Sequence, residues 1–152
     1  MINRYFLGLA VFIILAVLSG CSVSLIPPYD EQLAEQIESA AKEVDLFYLT
    51  IQDTTNNDNG ERAYAKFAEQ YAGIEAELNS LLYKNMIRPL NNNSTRICEI
   101  TLDLWKKYKN EHKQDNKLSD GIIELNRKTF NDLFYAMQVA EKAKDIVNNP
   151  PN

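Results

Sequence analysis

From residue 30 onward, apolar side chains recur about every 3.6 residues, with no long period-two alternation, so the chain can bury them only as amphipathic helices. In the first segment Leu33, Ile37, Ala40, Val44, Phe47 and Ile51 form a stripe that Ala34, Ala41 and Tyr48 widen. Tyr64, Phe67, Tyr71, Ile74, Leu78 and Leu81 form the second. The third carries Ile97, Thr101, Leu104 and Tyr108, with Cys98, Leu102 and Trp105 beside them. In the fourth, Ile122, Leu125, Thr129, Leu133, Ala136, Ala140, Ala143 and Val147 predict the inward face, broadened by Phe130, Phe134 and Met137.

The ends of these segments follow from local chemistry. Asp30 is placed to cap the first helix, its carboxylate accepting from unpaired backbone N–H groups at the positive helix end. Turn formers across residues 53–60 break the first stripe, and the second segment starts near Gly60. It stops around residues 86–88, because Pro89 disfavours helical geometry just before it. Asn91, Asn92 and Asn93 predict a loop, and the third segment runs from about residue 94 to 113. Ser119 then caps the fourth helix, Asp120 complements its dipole, and Leu118 can staple against Ile123. A chain of 152 residues is one domain's worth. Four amphipathic helices with short connections predict an all-α, up-down-up-down four-helix bundle over residues 30–147, followed by a disordered tail at 148–152.

The segment before the bundle has a different character. Arg4 is the only charged side chain before Asp30, and residues 5–17 are almost unbroken apolar sequence. That run falls short of the roughly 20 residues a helix needs to cross a bilayer, and it fits the apolar core of a secretion signal at residues 1–20. Leu18-Ser19-Gly20-Cys21 follows, and this series resembles the lipobox of bacterial lipoproteins. The resemblance implies recognition of Leu18, Ser19 and Gly20 by signal peptidase II and cleavage before Cys21. It also implies a diacylglyceryl thioether on the Cys21 sulfur, often with an acyl group on the new amine. Ser22 is not the Asp that resembles an inner-membrane retention signal, so in a host with two membranes the outer one, facing the periplasm, is expected. Residues 22–29 would be the tether, stiffened at its end by Pro27-Pro28.

Composition removes several function classes. A formal net charge of −5 argues against nucleic acid, whose phosphates require a basic face. The single histidine, His112, sits between Glu111 and Lys113 near the end of the third segment and reads as a solvated residue at the negative helix terminus. A Ser/His/Asp arrangement needs a buried, oriented imidazole, and Cys98 lies about four helical turns from His112. No Glu-x-x-His repeat supports a di-iron site, since Lys109 stands three residues before His112, and no Cys-x-x-Cys-His supports attached haem. Catalytic and metal-ligating residues are therefore expected to be absent, with no cofactor beyond the covalent lipid. Once Cys21 is acylated, Cys98 has no intramolecular partner and reads as a small buried hydrophobe, with an intermolecular disulfide as the alternative.

Charge is unevenly distributed. The first segment carries a net of about −6 by side-chain count, whereas the third and its loop hold Lys106, Lys107, Lys109, Lys113 and Lys117. Lys106, Lys109 and Lys113 are candidates for electrostatic contact with a partner, an anionic lipid surface or wall polymer. The expected role is a membrane-tethered, non-catalytic interaction or scaffold module with an envelope protein partner. A bundle carrying an apolar small molecule among its aromatics is the alternative, and an envelope enzyme the more distant one.

Overall fold

In the computed structural model, which describes residues 26–56 and 60–148, each of the four stripes becomes one helix. Helix α1 spans Glu31–Thr54, α2 Ala68–Met86, α3 Asn92–Asp115 and α4 Asp120–Asn148. Asp30 caps α1 as expected, its Oδ1 accepting from the Leu33 N–H at 3.0 Å. At the start of α4 the Ser119 hydroxyl and carbonyl both face the Ile122 N–H, and Leu118 and Ile123 are buried. The second segment begins later than its Gly60 start implied. Gly60 adopts φ +67, a single 3-10 turn at Tyr64–Lys66 follows, and α-helical geometry sets in at Ala68. The asparagine loop is also shorter than expected, because Asn92 and Asn93 already form the first turn of α3.

Packing joins α1 to α2, α2 to α3 and α3 to α4, and α4 closes the ring against α1. Cross-helix bonds fix the directions. Asp30 meets Glu141 while Asp45 meets Arg127, so α1 and α4 run antiparallel. Tyr71 meets His112, Glu75 meets Lys109 and Asn85 meets Cys98, so α2 and α3 do too. Gln36 meets Ser80 while Phe47 meets Tyr71, so α1 and α2 are antiparallel as well, and this is the up-down-up-down four-helix bundle. Among the described residues there is no strand, and no helix is long and apolar enough to cross a membrane.

The core is one continuous cluster of aliphatic side chains and rings. Trp105 is fully buried, its Nε1–H donating to the Tyr71 carbonyl at 3.1 Å. Phe47 lies 4.7 Å from Tyr71 and 5.4 Å from Trp105, both edge-on, and Phe130 lies 5.5 Å from Trp105. Such ring pairs contribute about 0.5–1.5 kcal/mol each beyond the area they bury.

Ring burial explains where the structure departs from the α4 stripe. The buried positions are Ile123, Asn126, Phe130, Phe134, Met137, Glu141 and Lys144, whereas Ile122, Leu125 and Val147 are exposed. The helix is turned by about one residue from the purely aliphatic count. Turning it this way sinks two phenylalanines and a methionine, which remove more apolar area from water than the alanines and threonine of the expected face. In α3 Thr101 of the expected stripe is buried together with Cys98, Leu102 and Trp105, whereas Ile97, Leu104 and Tyr108 are half-buried.

The candidate functional site

Two polar constellations interrupt the apolar core, one at each end. The end that receives the chain from residue 26 is built on Glu141, whose side chain is only 2% exposed. Its Oε1 accepts from the Asp30 N–H at 3.0 Å and from Arg88 Nη1 at 3.1 Å. Its Oε2 accepts from Arg88 Nη1 at 3.1 Å and from Lys144 Nζ at 2.5 Å. Lys144 also donates to Asn91 Oδ1 at 2.8 Å, and Asn91 Nδ2 donates to the Asn85 Oδ1 and carbonyl at 2.8 and 3.1 Å. Asn85 Nδ2 in turn donates to the Leu81 carbonyl at 2.9 Å and reaches the Cys98 sulfur at 3.3 Å. Each member of this chain of bonds therefore satisfies the next, which is the condition for burying charge in a helix bundle.

This cluster fastens the segment that precedes α1. Arg88 Nη2 donates to the Pro28 carbonyl, Pro27 is buried, and Tyr29 lies under the Lys142 ammonium, 5.3 Å from ring centre to nitrogen. Residues 26–29, the second half of the expected tether, thus form an arm docked on the bundle. A proline pair cannot enter a helix and its carbonyls must find donors elsewhere, and Arg88 supplies one. The first half, residues 22–25, lies outside the described residues, as do Leu18, Ser19, Gly20 and Cys21 and the tail at 149–152.

At the other end, His112 overturns its reading as a solvated terminal residue: it is 2% exposed. Its Nε2 lies 2.7 Å from the Arg62 carbonyl, which can only accept, so Nε2 carries the proton. Nδ1 lies 3.1 Å from the Tyr71 hydroxyl, from which a neutral ring accepts. Burial lowers its pKa below the usual 6.5, against the smaller opposing effects of the Arg62 carbonyl and Asp115. Arg62 itself is a buried clamp. It donates to Thr55 Oγ1, to the Thr55 and Leu118 carbonyls and to Asp120 Oδ1, and so ties the α1–α2 connection to the α3–α4 connection.

Cys98 is buried, and that burial pushes its thiol up to about 12, so it stays protonated and inert as the small hydrophobe anticipated. Among the described residues no group of three or more His, Cys, Asp or Glu side chains is arranged to hold a metal ion. The rings that could have lined a ligand space pack on one another. The clefts lie at the surface, such as one of about 490 Å³ beside Arg62 and Asp120.

The three candidate lysines lie in the half of α3 farthest from the arm. Lys109 is bound to Glu75 of α2, and Lys113 is exposed beside the Tyr64 ring at 5.9 Å. Lys106 is half-buried. They share a helix side by spacing, but Lys109 is already neutralised. Sequence reasoning missed Glu141, Lys144, Arg88, Asn85 and Asn91, and the available signal was that positions 137, 141 and 144 continue the ring-bearing face of α4. It missed His112 for a similar reason: 98, 105 and 112 repeat every seven residues along the buried seam of α3. Compared with known proteins, the chain matches no family model, no curated protein and no solved structure.

Proposed function

We propose that this protein is a lipid-anchored module of a bacterial cell envelope, held to a membrane through acylated Cys21 and acting by interaction rather than catalysis. The observation that carries the reading is the series Leu18-Ser19-Gly20-Cys21 placed five residues before an arm that is clamped to the bundle. Two or three acyl chains make a stable anchor where one is marginal. With the anchor short, any partner in the same membrane is met at high effective concentration, so a modest interface suffices. In a host with two membranes the outer membrane, facing the periplasm, is the proposed address.

The packed core bears on the alternatives. A carrier of an apolar molecule needs its rings to line an open space, and here Phe47, Tyr48, Tyr71, Trp105 and Phe130 contact one another. An enzyme would want a free titratable group in a cleft; His112 borders a cleft of about 330 Å³ with Glu111 and Asp115, but both its ring nitrogens are engaged, by Tyr71 and the Arg62 carbonyl. The proposed contact surface is the end of α3 away from the arm, where Lys113 is exposed and Lys106 half-buried. Lys109 supports it only indirectly, through its bond to Glu75.

Intact-mass spectrometry of the membrane-extracted protein tests the anchor. The expected mass is that of a chain beginning at Cys21 and carrying lipid, and a Cys21→Ser form should keep its leader and take no lipid. An unmodified sulfur with the leader attached overturns the reading. Crosslinking in envelopes, wild type against Lys106→Glu/Lys113→Glu, then tests the surface: partners captured by the wild type should be lost from the variant. Equal capture by both removes the lysines from the mechanism.

A further inference from the structure

We propose that the arm-bearing end of the bundle is itself a bilayer contact, with Ile87, Leu90 and Val147 entering the boundary between lipid headgroups and acyl chains. This rests on the reading that Cys21 carries lipid.

The two ends of the bundle are finished differently. At the far end the α3–α4 connection, residues 116–119, exposes only polar side chains and buries Leu118, and the first turn of α4 exposes Ile122 at 46%. At the arm end the α2–α3 turn exposes Ile87 at 81% and Leu90 at 62%, and the last turn of α4 exposes Val147 at 64%. Met86 and Ile146 are exposed beside them. Leu90 also holds a left-handed backbone, φ 60, which favours Gly or Asn. The corresponding left-handed residue at the far end, φ 51, is Asn116. Leucine at such a position adds backbone strain and places an apolar side chain outward, and nothing in the core compensates. A surface that accepts apolar side chains would.

Proximity identifies that surface. Leu90 and Val147 line an apolar groove of about 220 Å³ together with Ile26 and Pro27 of the arm. Ile26 is five residues from Cys21, a span of at most ~18 Å even fully extended. Arg88 and Glu141 pin the arm at Pro28 and Asp30, so the apolar rim and the point where the chain arrives from Cys21 share one end of the bundle. Tyr83, one turn before Ile87, is exposed where an amphipathic ring would meet the headgroups. The bundle would stand on this end, with the last turn of α3, 24 residues long, about 36 Å farther out. His112, Arg62 and Lys113 would then face away from the membrane.

The test uses the full chain, matured in cells, extracted and placed in phosphatidylethanolamine–phosphatidylglycerol vesicles that contain nitroxide-labelled lipid. Single Ile87→Cys, Val147→Cys and Leu125→Cys forms are labelled with an environment-sensitive fluorophore, Leu125 being an exposed position near the far end of α4. The buried Cys98 thiol stays unlabelled in the folded protein. The labels at 87 and 147 should shift to the blue and lose most of their emission to the lipid nitroxide, while the label at 125 should do neither. Leu90→Asn, which suits the left-handed backbone, should retain the fold and reduce quenching at 87. If the lipidated protein binds vesicles but all three labels behave alike, the inference falls and the anchor stands. A blue shift without lipid quenching means that a second copy or another protein covers this end, and also overturns it. If intact mass shows Cys21 unmodified, the anchor reading falls and takes the inference with it.

Discussion

His112 carries the clearest consequence at the scale of single residues. The neutral ring is held between a carbonyl acceptor and a phenolic donor, with Tyr64 and Phe67 also against it. Its pKa in the folded protein lies below the unfolded 6.5, so the unfolded chain takes up the proton first as pH falls. Its contribution is therefore complete above about pH 6.5, begins to fade below that value, and is gone once pH is under the lowered folded value. No other imidazole titrates in this window, because the chain has one histidine. Thermal melts between pH 5 and 8 should show stability falling on acidification. His112→Gln should flatten that slope while lowering stability at pH 7.5 by about 1–3 kcal/mol through the disturbed buried bonds. A wild-type melting temperature that is constant across the window would refute the assignment. Cys98 gives a second, chemical check. With its thiol pushed up to about 12 and buried, alkylation at pH 8 should be far slower in the native protein than in denaturant.

At the scale of elements, α4 explains what was legible in the sequence and what was not. Its existence and its Ser119 start follow from period and capping chemistry, which are local properties. Its rotation does not, because it depends on which side chains a buried surface will admit. Asn126, Glu141 and Lys144 look like solvent residues when hydrophobicity alone is counted, yet all three are buried. What admits Glu141 and Lys144 is the set of partners on other elements, Arg88 after α2, Asn91 before α3 and the Asp30 N–H, and a single helix's sequence carries no record of them. The candidate lysines illustrate the converse. Their spacing was legible, but the Glu75 partner that occupies Lys109 came from a different helix. The energetics of the clasp can be separated by a cycle. Glu141→Leu leaves Lys144 and Arg88 without their shared carboxylate and should destabilise by about 3–5 kcal/mol in denaturant titrations. Adding Lys144→Met should recover part of that loss, since the more deeply buried of the two uncompensated charges is then gone while Arg88 remains. If the double variant is as unstable as the single, the charges are not coupled as the geometry implies.

Across the whole molecule, the two buried polar clusters lie at opposite ends of one continuous core, rich in rings toward His112 and aliphatic toward Glu141, and this arrangement predicts how the bundle opens. Arg62 ties two connections together at one end and Glu141 ties the arm, the α2–α3 turn and α4 at the other. Trp105 and Phe47 bridge the rings between them. With both ends latched and no layer boundary in the middle, the bundle should open as a single unit, as small domains commonly do. Cys98 and Trp105 report on this from different places, the thiol beside Asn85 at the arm end and the indole in the central ring cluster. Thiol-exchange kinetics under native conditions give the free energy of exposing Cys98, and Trp105 fluorescence in denaturant gives that of global unfolding. The two should agree within error for the wild type. Glu141→Leu weakens the latch at the thiol's own end, so in that variant Cys98 should become accessible at a lower free energy than Trp105 fluorescence reports, through opening of the arm end alone. A wild-type Cys98 that exchanges well below the global value would mean that the arm end is already a separate, looser unit, and the single-unit description would fail.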